Sequence, residues 1–318
     1  MLENSKHTRR SGFTLVEILV SITILILLLL VVSQIVSTTQ NISNASDKSL
    51  GADGESRMVF DRLAIDIARM VRRTDVDYLM NRATGNDSFF FYSEAPAFSA
   101  SGATIAQQNT VALVGYRINA NYQLERLGKG LTWAAAPSDG MVFLTYASYP
   151  VTASSTPLAG STLSGAYTAV AANSTDSNYH VLGPDVFRLE FCFLLNACTD
   201  TSGVRQPAIY SNVPYDSRLG HTSTAGIGLG DVQALVVGMA ILDSSSRKVL
   251  PSTTNWSTAS NLLTDPSDTD LSSSPPKLMA TTWQGVINNG TFLAGAGIPK
   301  VAAQQVRIYQ RVFPLNTR

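Results

Sequence analysis

The sequence predicts an α+β protein in which a long N-terminal hydrophobic helix precedes a mostly antiparallel β-sheet head with long polar loops. Three observations carry that expectation. A basic start leads into a long run without charge except for one glutamate. A second stretch then repeats apolar residues at helical spacing, and beyond it short β-like runs alternate with turn residues.

The first element is set by length. Lys6, Arg9 and Arg10 precede GFTLVEILVSITILILLLLVVSQIV, and Phe13 to Val36 is a run of 24 residues. A helix of that length, at 1.5 Å per residue, reaches about 36 Å and exceeds a ~30 Å hydrocarbon core. Positive charge before the run, and none close after it until Lys48, orients the N-terminus to the cytoplasm and exports the rest of the chain. Glu17 is the anomaly, because a carboxylate in the hydrocarbon costs roughly 2.5–3.5 kcal/mol near a helix centre, less toward its end, and usually has a partner. Cleavage after Gly12 supplies one: the new amino terminus at Phe13 lies one helical turn from Glu17.

These residues carry a resemblance. Ser11-Gly12-Phe13-Thr14-Leu15-Val16-Glu17, behind a short basic leader, resembles the type III signal of the type IV pilin and pseudopilin superfamily over about the first forty residues. The resemblance implies that a prepilin peptidase cuts after Gly12 and methylates Phe13. It also implies that Phe13 and Glu17 act in filament assembly with other pilin or pseudopilin subunits at the inner membrane. The chain then divides into a leader peptide (1–12), a transmembrane and filament-core helix (13–36), a polar continuation with an amphipathic helix (37–73) and an exported β-rich head, periplasmic or extracellular (74–318). Two other readings stay open: a secretory signal peptide cut after Ser33, with Val31 and Ser33 at the small-residue positions, and an uncleaved anchor.

Residues 37–56 are polar, and Gly51 and Gly54 predict a fray or break there. Val59, Leu63, Ile67 and Met70 then recur at steps of four, four and three, which predicts an amphipathic helix. Asp61, Arg62, Asp66, Arg69, Arg72 and Arg73 between them read as a solvated, salt-bridged face. Strands are predicted at Phe89–Tyr92, Val111–Arg117, Tyr122–Leu127, Met141–Tyr146, Val186–Leu195, Val232–Leu242 and Val306–Val312, the second and third forming a hairpin through Asn119-Ala120-Asn121. In Val186–Leu195 the apolar Phe187, Leu189, Phe191 and Phe193 alternate with Arg188 and Glu190, which predicts a central strand with one buried face. A short helix is predicted at Lys277–Ile287. Residues 148–178 hold 12 Ser/Thr in 31 positions and residues 252–275 hold 12 in 24, which reads as loop and not as core. The order of an N-terminal helix and a subsequent sheet is that of a pilin-like fold. Within the superfamily, RMVFDRLAIDIARM at 57–70 and VRIYQRVFPL at 306–315 most resemble the J-type minor pseudopilin of type II secretion, and the length is similar to that of prepilin-like proteins of the Verru_Chthon cassette.

Composition and motifs exclude more than they assign. Lys+Arg and Asp+Glu are 23 each, so the net charge is zero and the basic footprint of a general nucleic-acid binder is missing. No nucleic-acid partner is expected. Charged residues are 14% against about 25% in a typical soluble domain. His7, His180 and His221 accompany no nucleophile elbow, and Gly226-Ile227-Gly228-Leu229-Gly230 is no dinucleotide fingerprint, so neither enzymatic activity nor a cofactor is expected. Cys192 and Cys198 are a candidate disulfide on the exported side, provided the chain turns near Leu195–Ala197; two separate thiols are the alternative. Asp265, Asp268 and Asp270 are the best acidic cluster, but they lack the EF-hand glycine and terminal glutamate and read as a solvated loop with no metal. The reading is a minor pilin-like subunit, cleaved and assembled into a type II secretion or type IV pilus-like filament. The alternative is an exported binding or enzymatic domain tethered by its N-terminus.

Overall fold

The computed structural model describes residues 14–72, 78–95, 97–98, 108–130, 178–222, 229–248, 250, 253–290, 292 and 299–315. The expected strand Met141–Tyr146 and all of the 148–178 loop but Asn178 lie outside them. The chain divides into two compact units between Leu50 and Gly51.

A single helix, α1 (Leu15–Ala68), holds 54 residues and is about 81 Å long. The expected break does not occur. Helical bonding runs through Gly51 and Gly54, because two glycines cost only about 1 kcal/mol each relative to alanine and the turns beyond them are held by packing. The helix ends with no glycine or proline stop. Instead the backbone N–H of Val71 donates to Tyr92 and that of Glu94 to Arg69, and Met70 forms a bridge with Ser93, so pairing with a strand replaces the next turn.

The head holds two main antiparallel sheets. The first has the order β1-β2-β5-β6-β7, from β1 (Leu79–Asn81), β2 (Ser88–Ser93), β5 (Ala112–Ile118), β6 (Leu124–Gly130) and β7 (Tyr179–Gly183). The second has the order β11-β8-β12-β13, from β8 (Val186–Leu195), β11 (Ile209–Ser211), β12 (Val232–Ile241) and β13 (Arg307–Pro314). Two short pairs, β3 (Ala97–Phe98) with β4 (Gln108–Asn109) and β9 (Cys198–Thr199) with β10 (Arg205–Gln206), complete the set. The β5–β6 hairpin is present. Asn119 closes its turn by accepting the N–H groups of Asn121 and Gln123 on Oδ1, and Tyr122 takes a left-handed φ of 54°. Gly115 leaves room opposite Phe90, its cross-strand partner, whose ring occupies the space a Cβ would need.

The stripe read from the sequence is the one that packs. Val59, Leu63, Ile67 and Met70 are buried, with Ala52 and Phe60, against inner residues of both sheets such as Phe89, Val114, Phe191 and Val237. At about 1.5–3 kcal/mol for each large apolar side chain, this stripe is a major contribution to the head. The solvated reading of the intervening charges fails at Asp66, which is fully buried. Its Oδ2 accepts the Tyr116 hydroxyl at 2.5 Å and Arg126 Nε at 2.6 Å, and Oδ1 accepts Arg126 Nη2 at 3.0 Å. Arg62, one turn earlier, lies 3.3 Å from the same carboxylate. A bidentate guanidinium and a phenol compensate the buried charge.

Strand β8 is central, but both of its faces are buried. A register irregularity pairs Arg188 with Ala240 and Val186 with Ile241, so Phe187 joins the outer face instead of alternating with Leu189. That outer face is covered by helices. α2 (Ser244–Arg247), α3 (Thr253–Leu262), α4 (Asp268–Leu271), α5 (Met279–Asn288) and α6 (Lys300–Ala303) belong to this half, and a second core contains Trp256, Ala259, Leu263, Leu271, Met279, Trp283 and Phe292. The reading of 252–275 as mere loop is thereby corrected: Trp256, Ala259, Ser260 and Leu263 are buried at helical spacing in a segment whose other positions are polar. The helix expected at Lys277–Ile287 is α5.

Two substitutions probe this packing. Asp66→Ala strands Arg126 and Tyr116 and lowers stability by about 3–5 kcal/mol in chemical denaturation. Gly54→Ala, where an added Cβ meets nothing within 4 Å, raises it by about 0.5–1 kcal/mol.

Candidate functional site

Gly12 and Phe13 lie outside the described residues, and the site is visible from Thr14 onward. Thr14 precedes the first residue of α1, and its backbone N–H and hydroxyl donate to Glu17 Oε2 at 2.9 and 3.0 Å. Glu17 N–H in turn approaches Thr14 Oγ1 at 3.3 Å. This reciprocal arrangement is a capping box, so Glu17 has a structural role at the helix start in addition to any role toward an amine. The pattern Thr-x-x-Glu ahead of an apolar run is its sequence signal. Both bonds fall on Oε2, leaving Oε1 without a donor among the described residues.

Beyond Glu17 the apolar stretch of the helix is exposed among the described residues. Its most apolar 18-residue window has a mean hydropathy of 3.1 and is 0% buried, and Leu15 is 81% exposed. The helix is long and apolar enough to cross a membrane. Its hydroxyl side chains suit that setting: Thr23 donates to Leu19 C=O at 2.8 Å, and Ser37, Thr38 and Thr39 donate to the carbonyls four residues back at 2.9 Å. Each hydroxyl is therefore satisfied within the helix.

In the head, the other residues singled out in the sequence are dispersed. Cys192 and Cys198 are free thiols. Cys192 is buried under the helical cover with its Sγ 3.5 Å from Asn212 Oδ1, whereas Cys198 on β9 lies 3.3 Å from Asp216 Oδ2. The chain does turn at Asn196-Ala197, but it carries the two sulfurs to different neighbours. Asp265, Asp268 and Asp270 also diverge. Asp265 bonds Arg188, Asp268 accepts from Asn212 at 3.3 Å, and Asp270 closes a capping box with Ser267 at the start of α4. Their order in the sequence reflects a helix start and two separate anchors. His180 lies on β7, and His221 Nδ1 is 2.8 Å from Asp231 Oδ2. An open depression of about 640 Å³ is lined by uncharged residues, among them Asn86, Asn119, Tyr122, Thr254 and Ser257.

Glu55 was not marked by the sequence. From α1 its Oε1 accepts the N–H of Asp185 at 2.9 Å, tying the helix to the β7–β8 turn. Burial raises its pKa to about 7, the Asp185 N–H opposes this, Asp185 charge adds to it, and Arg247 opposes it.

The prokaryotic N-terminal methylation motif matches residues 7–33 of the chain. No curated protein matches it in sequence. A type IV-like pilin from Thermus thermophilus is similar at 12% identity and a TM-score of 0.30, over 84% of this chain and 94% of that one. The matched motif stands at the head of the long apolar helix, and antiparallel sheets follow it in the chain.

The raised value of Glu55 sets the sign of a pH effect. Its contribution to stability is full below about 4.5 and is lost as pH rises through about 7, because the folded chain holds the proton more tightly than the unfolded one. Denaturation midpoints measured across that window fall more steeply in the wild type than in Glu55→Gln.

Proposed function

We propose that a prepilin peptidase cleaves this chain after Gly12 and methylates Phe13. The product is a minor, pseudopilin-type subunit of a type II secretion or type IV pilus-like filament. The observation that carries the reading is the methylation motif at residues 7–33, which runs into a helix whose most apolar window has no cover among the described residues. An apolar helix of this kind requires lipid before assembly and other helices after it. Cleavage places a cation one turn from Glu17, whose Oε1 has no donor among the described residues, and a carboxylate in hydrocarbon gains most from such a partner. The amine of a neighbouring subunit meets the same need and sets axial register, since a slipped neighbour leaves the charge unpaired.

The N-terminus is cytoplasmic and the head periplasmic or extracellular, as the placement of Lys6, Arg9 and Arg10 before the span favours. A large head suits a minor subunit, because its bulk crowds a surface repeated at every step of a filament. The two segments that resemble the J-type subunit, 57–70 and 306–315, meet through Phe60 and Phe313, with ring centroids 6.0 Å apart, and through Arg311 and Asp61 at 3.1 Å. The role is structural and needs no catalytic group of its own.

Intact mass and N-terminal sequencing of protein recovered from its native membrane test the reading, and the expected chain begins at methylated Phe13. A start at Gln34 or at Met1 overturns it. Glu17→Ala then separates filament subunit from tethered domain: the processed variant inserts in the membrane but fails to co-assemble, whereas a tether retains the behaviour of the wild type.

A further inference from the structure

The open depression on the head plays no part in the filament reading. Its walls come from the β5–β6 turn, the start of α3 and the β1–β2 connection, and Ser260 Oγ of α3 ties the last two together by donating to Gly85 C=O at 3.0 Å. Tyr122, in the first wall, is strained. Among the described residues it is the one non-glycine with a positive φ, a conformation in which glycine or asparagine is usual and a bulky side chain is an outlier. A turn that only joins two strands has no need of a tyrosine there. The conformation is nevertheless held from several directions. Tyr122 N–H donates to Asn119 C=O at 2.9 Å, and Arg247 Nη2 donates to the carbonyls of Asn121 and Tyr122, the latter at 2.7 Å. Asn119 Oδ1 accepts two more N–H groups of the same turn. Backbone strain that its surroundings hold in place in this way is found at ligand clamps.

The Tyr122 ring is backed as firmly as its backbone. It stacks on Trp256 with centroids 6.2 Å apart and 23° between the planes, while Phe187 at 5.5 Å and the Arg247 guanidinium at 4.4 Å fix Trp256 in turn. Trp256 is buried, whereas Tyr122 is half-buried and lines the depression. The polar lining is neutral and has hydrogen-bonding capacity left. Asn86 uses one N–H on Phe187 C=O and one lone pair on Leu189 N–H, and Asn119 keeps one N–H after donating to Glu125. The hydroxyls of Tyr122, Thr254 and Ser257 have no protein partner among the described residues. No charged side chain lines the depression, so nothing in it matches a phosphate, a carboxylate or a cation.

We propose that this depression binds a short neutral oligosaccharide, one ring of which lies against Tyr122. A sugar ring carries both things the lining calls for. Its face of C–H groups packs on an aromatic ring, and its rim of hydroxyls donates to and accepts from neutral amides and hydroxyls. A purely apolar ligand leaves those polar groups unpaired, and an ionic one leaves its own charge unpaired. The volume of about 640 Å³ falls within the ordinary range of about 300–1,000 Å³ for ligand sites, and the open form admits a stretch of a chain instead of enclosing one small molecule. The strain at Tyr122 then has a use: the ring is a platform already in place, which binding does not have to order. The site rests on neither cleavage at Gly12 nor the charge of Glu17.

Saturation-transfer NMR tests this with the full chain in a detergent that has no sugar headgroup. The probes are neutral trisaccharides of glucose, galactose, mannose and N-acetylglucosamine, with a sialylated trisaccharide as the anionic control. At least one neutral trisaccharide is expected to bind saturably below about 10 mM, with the strongest transfer at its ring C–H protons. Tyr122→Asn, which suits the left-handed turn and removes the ring, weakens that binding at least about tenfold. Thr254→Ala combined with Ser257→Ala weakens it several-fold and leaves the denaturation midpoint no lower, since neither hydroxyl has a partner among the described residues. Absence of saturable binding by every neutral trisaccharide overturns the proposal. Binding that both variants leave unchanged also overturns it, because the sugar then sits elsewhere, and so does equal or stronger binding of the sialylated control.

Discussion

The head is organised by the need to cover one stripe of α1. An isolated helix whose apolar residues recur every three to four positions must bury that stripe, and here Val59, Leu63 and Ile67 find cover from both sheets at once. Both sheets meet at that contact. The first sheet joins through Tyr116 and Arg126, which reach Asp66 on the same helix, and the second through Phe191, Val237 and Phe313. Since Asp66 is one residue before Ile67, its charge sits inside the apolar contact and is tolerable only because a guanidinium and a phenol arrive with the sheet. Helix and sheet therefore complete each other.

What the sequence disclosed depended on how local the determining physics was. The span, the stripe and the strands β2, β5, β6, β8, β12 and β13 carry period and composition in themselves, and each forms close to its expected residues. Continuity through Gly51 and Gly54 was hidden because it is decided by packing further along the helix. The second buried face of β8 was hidden for a related reason: Arg188 and Glu190 look like solvent-facing residues until Arg82, Asp87 and Asp265 arrive from segments about a hundred residues before and seventy-five after. In α3 the signal was present but faint. Trp256, Ala259, Ser260 and Leu263 do keep helical spacing, but a serine among them and the polar residues around them disguise it.

The candidate site shows the same division. Glu17 stood out because a carboxylate in an apolar run is conspicuous, and Thr14 was legible in principle as the other half of a capping box. The aspartates of DPSDTD stood out for the wrong reason: a cluster in sequence became three separate anchors once Asp270 capped a helix and Asp265 turned toward Arg188. Glu55 could not be singled out, since its behaviour comes from burial beside Asp185, which no local pattern encodes.

The unbroken bonding of α1 also has a mechanical meaning. Tension applied at the N-terminal end travels along the hydrogen-bonded backbone into the turns from Ala52 to Ile67, where the stripe of apolar side chains packs along the helix. Load parallel to the helix axis then acts on those contacts in shear and in parallel, not one after another as in peeling. Extraction requires Val59, Leu63, Asp66 and the Asp61–Arg311 and Asp53–Tyr309 pairs to yield together. A chain built in this way resists being pulled out of its own head more strongly than the sum of its surface ion pairs implies.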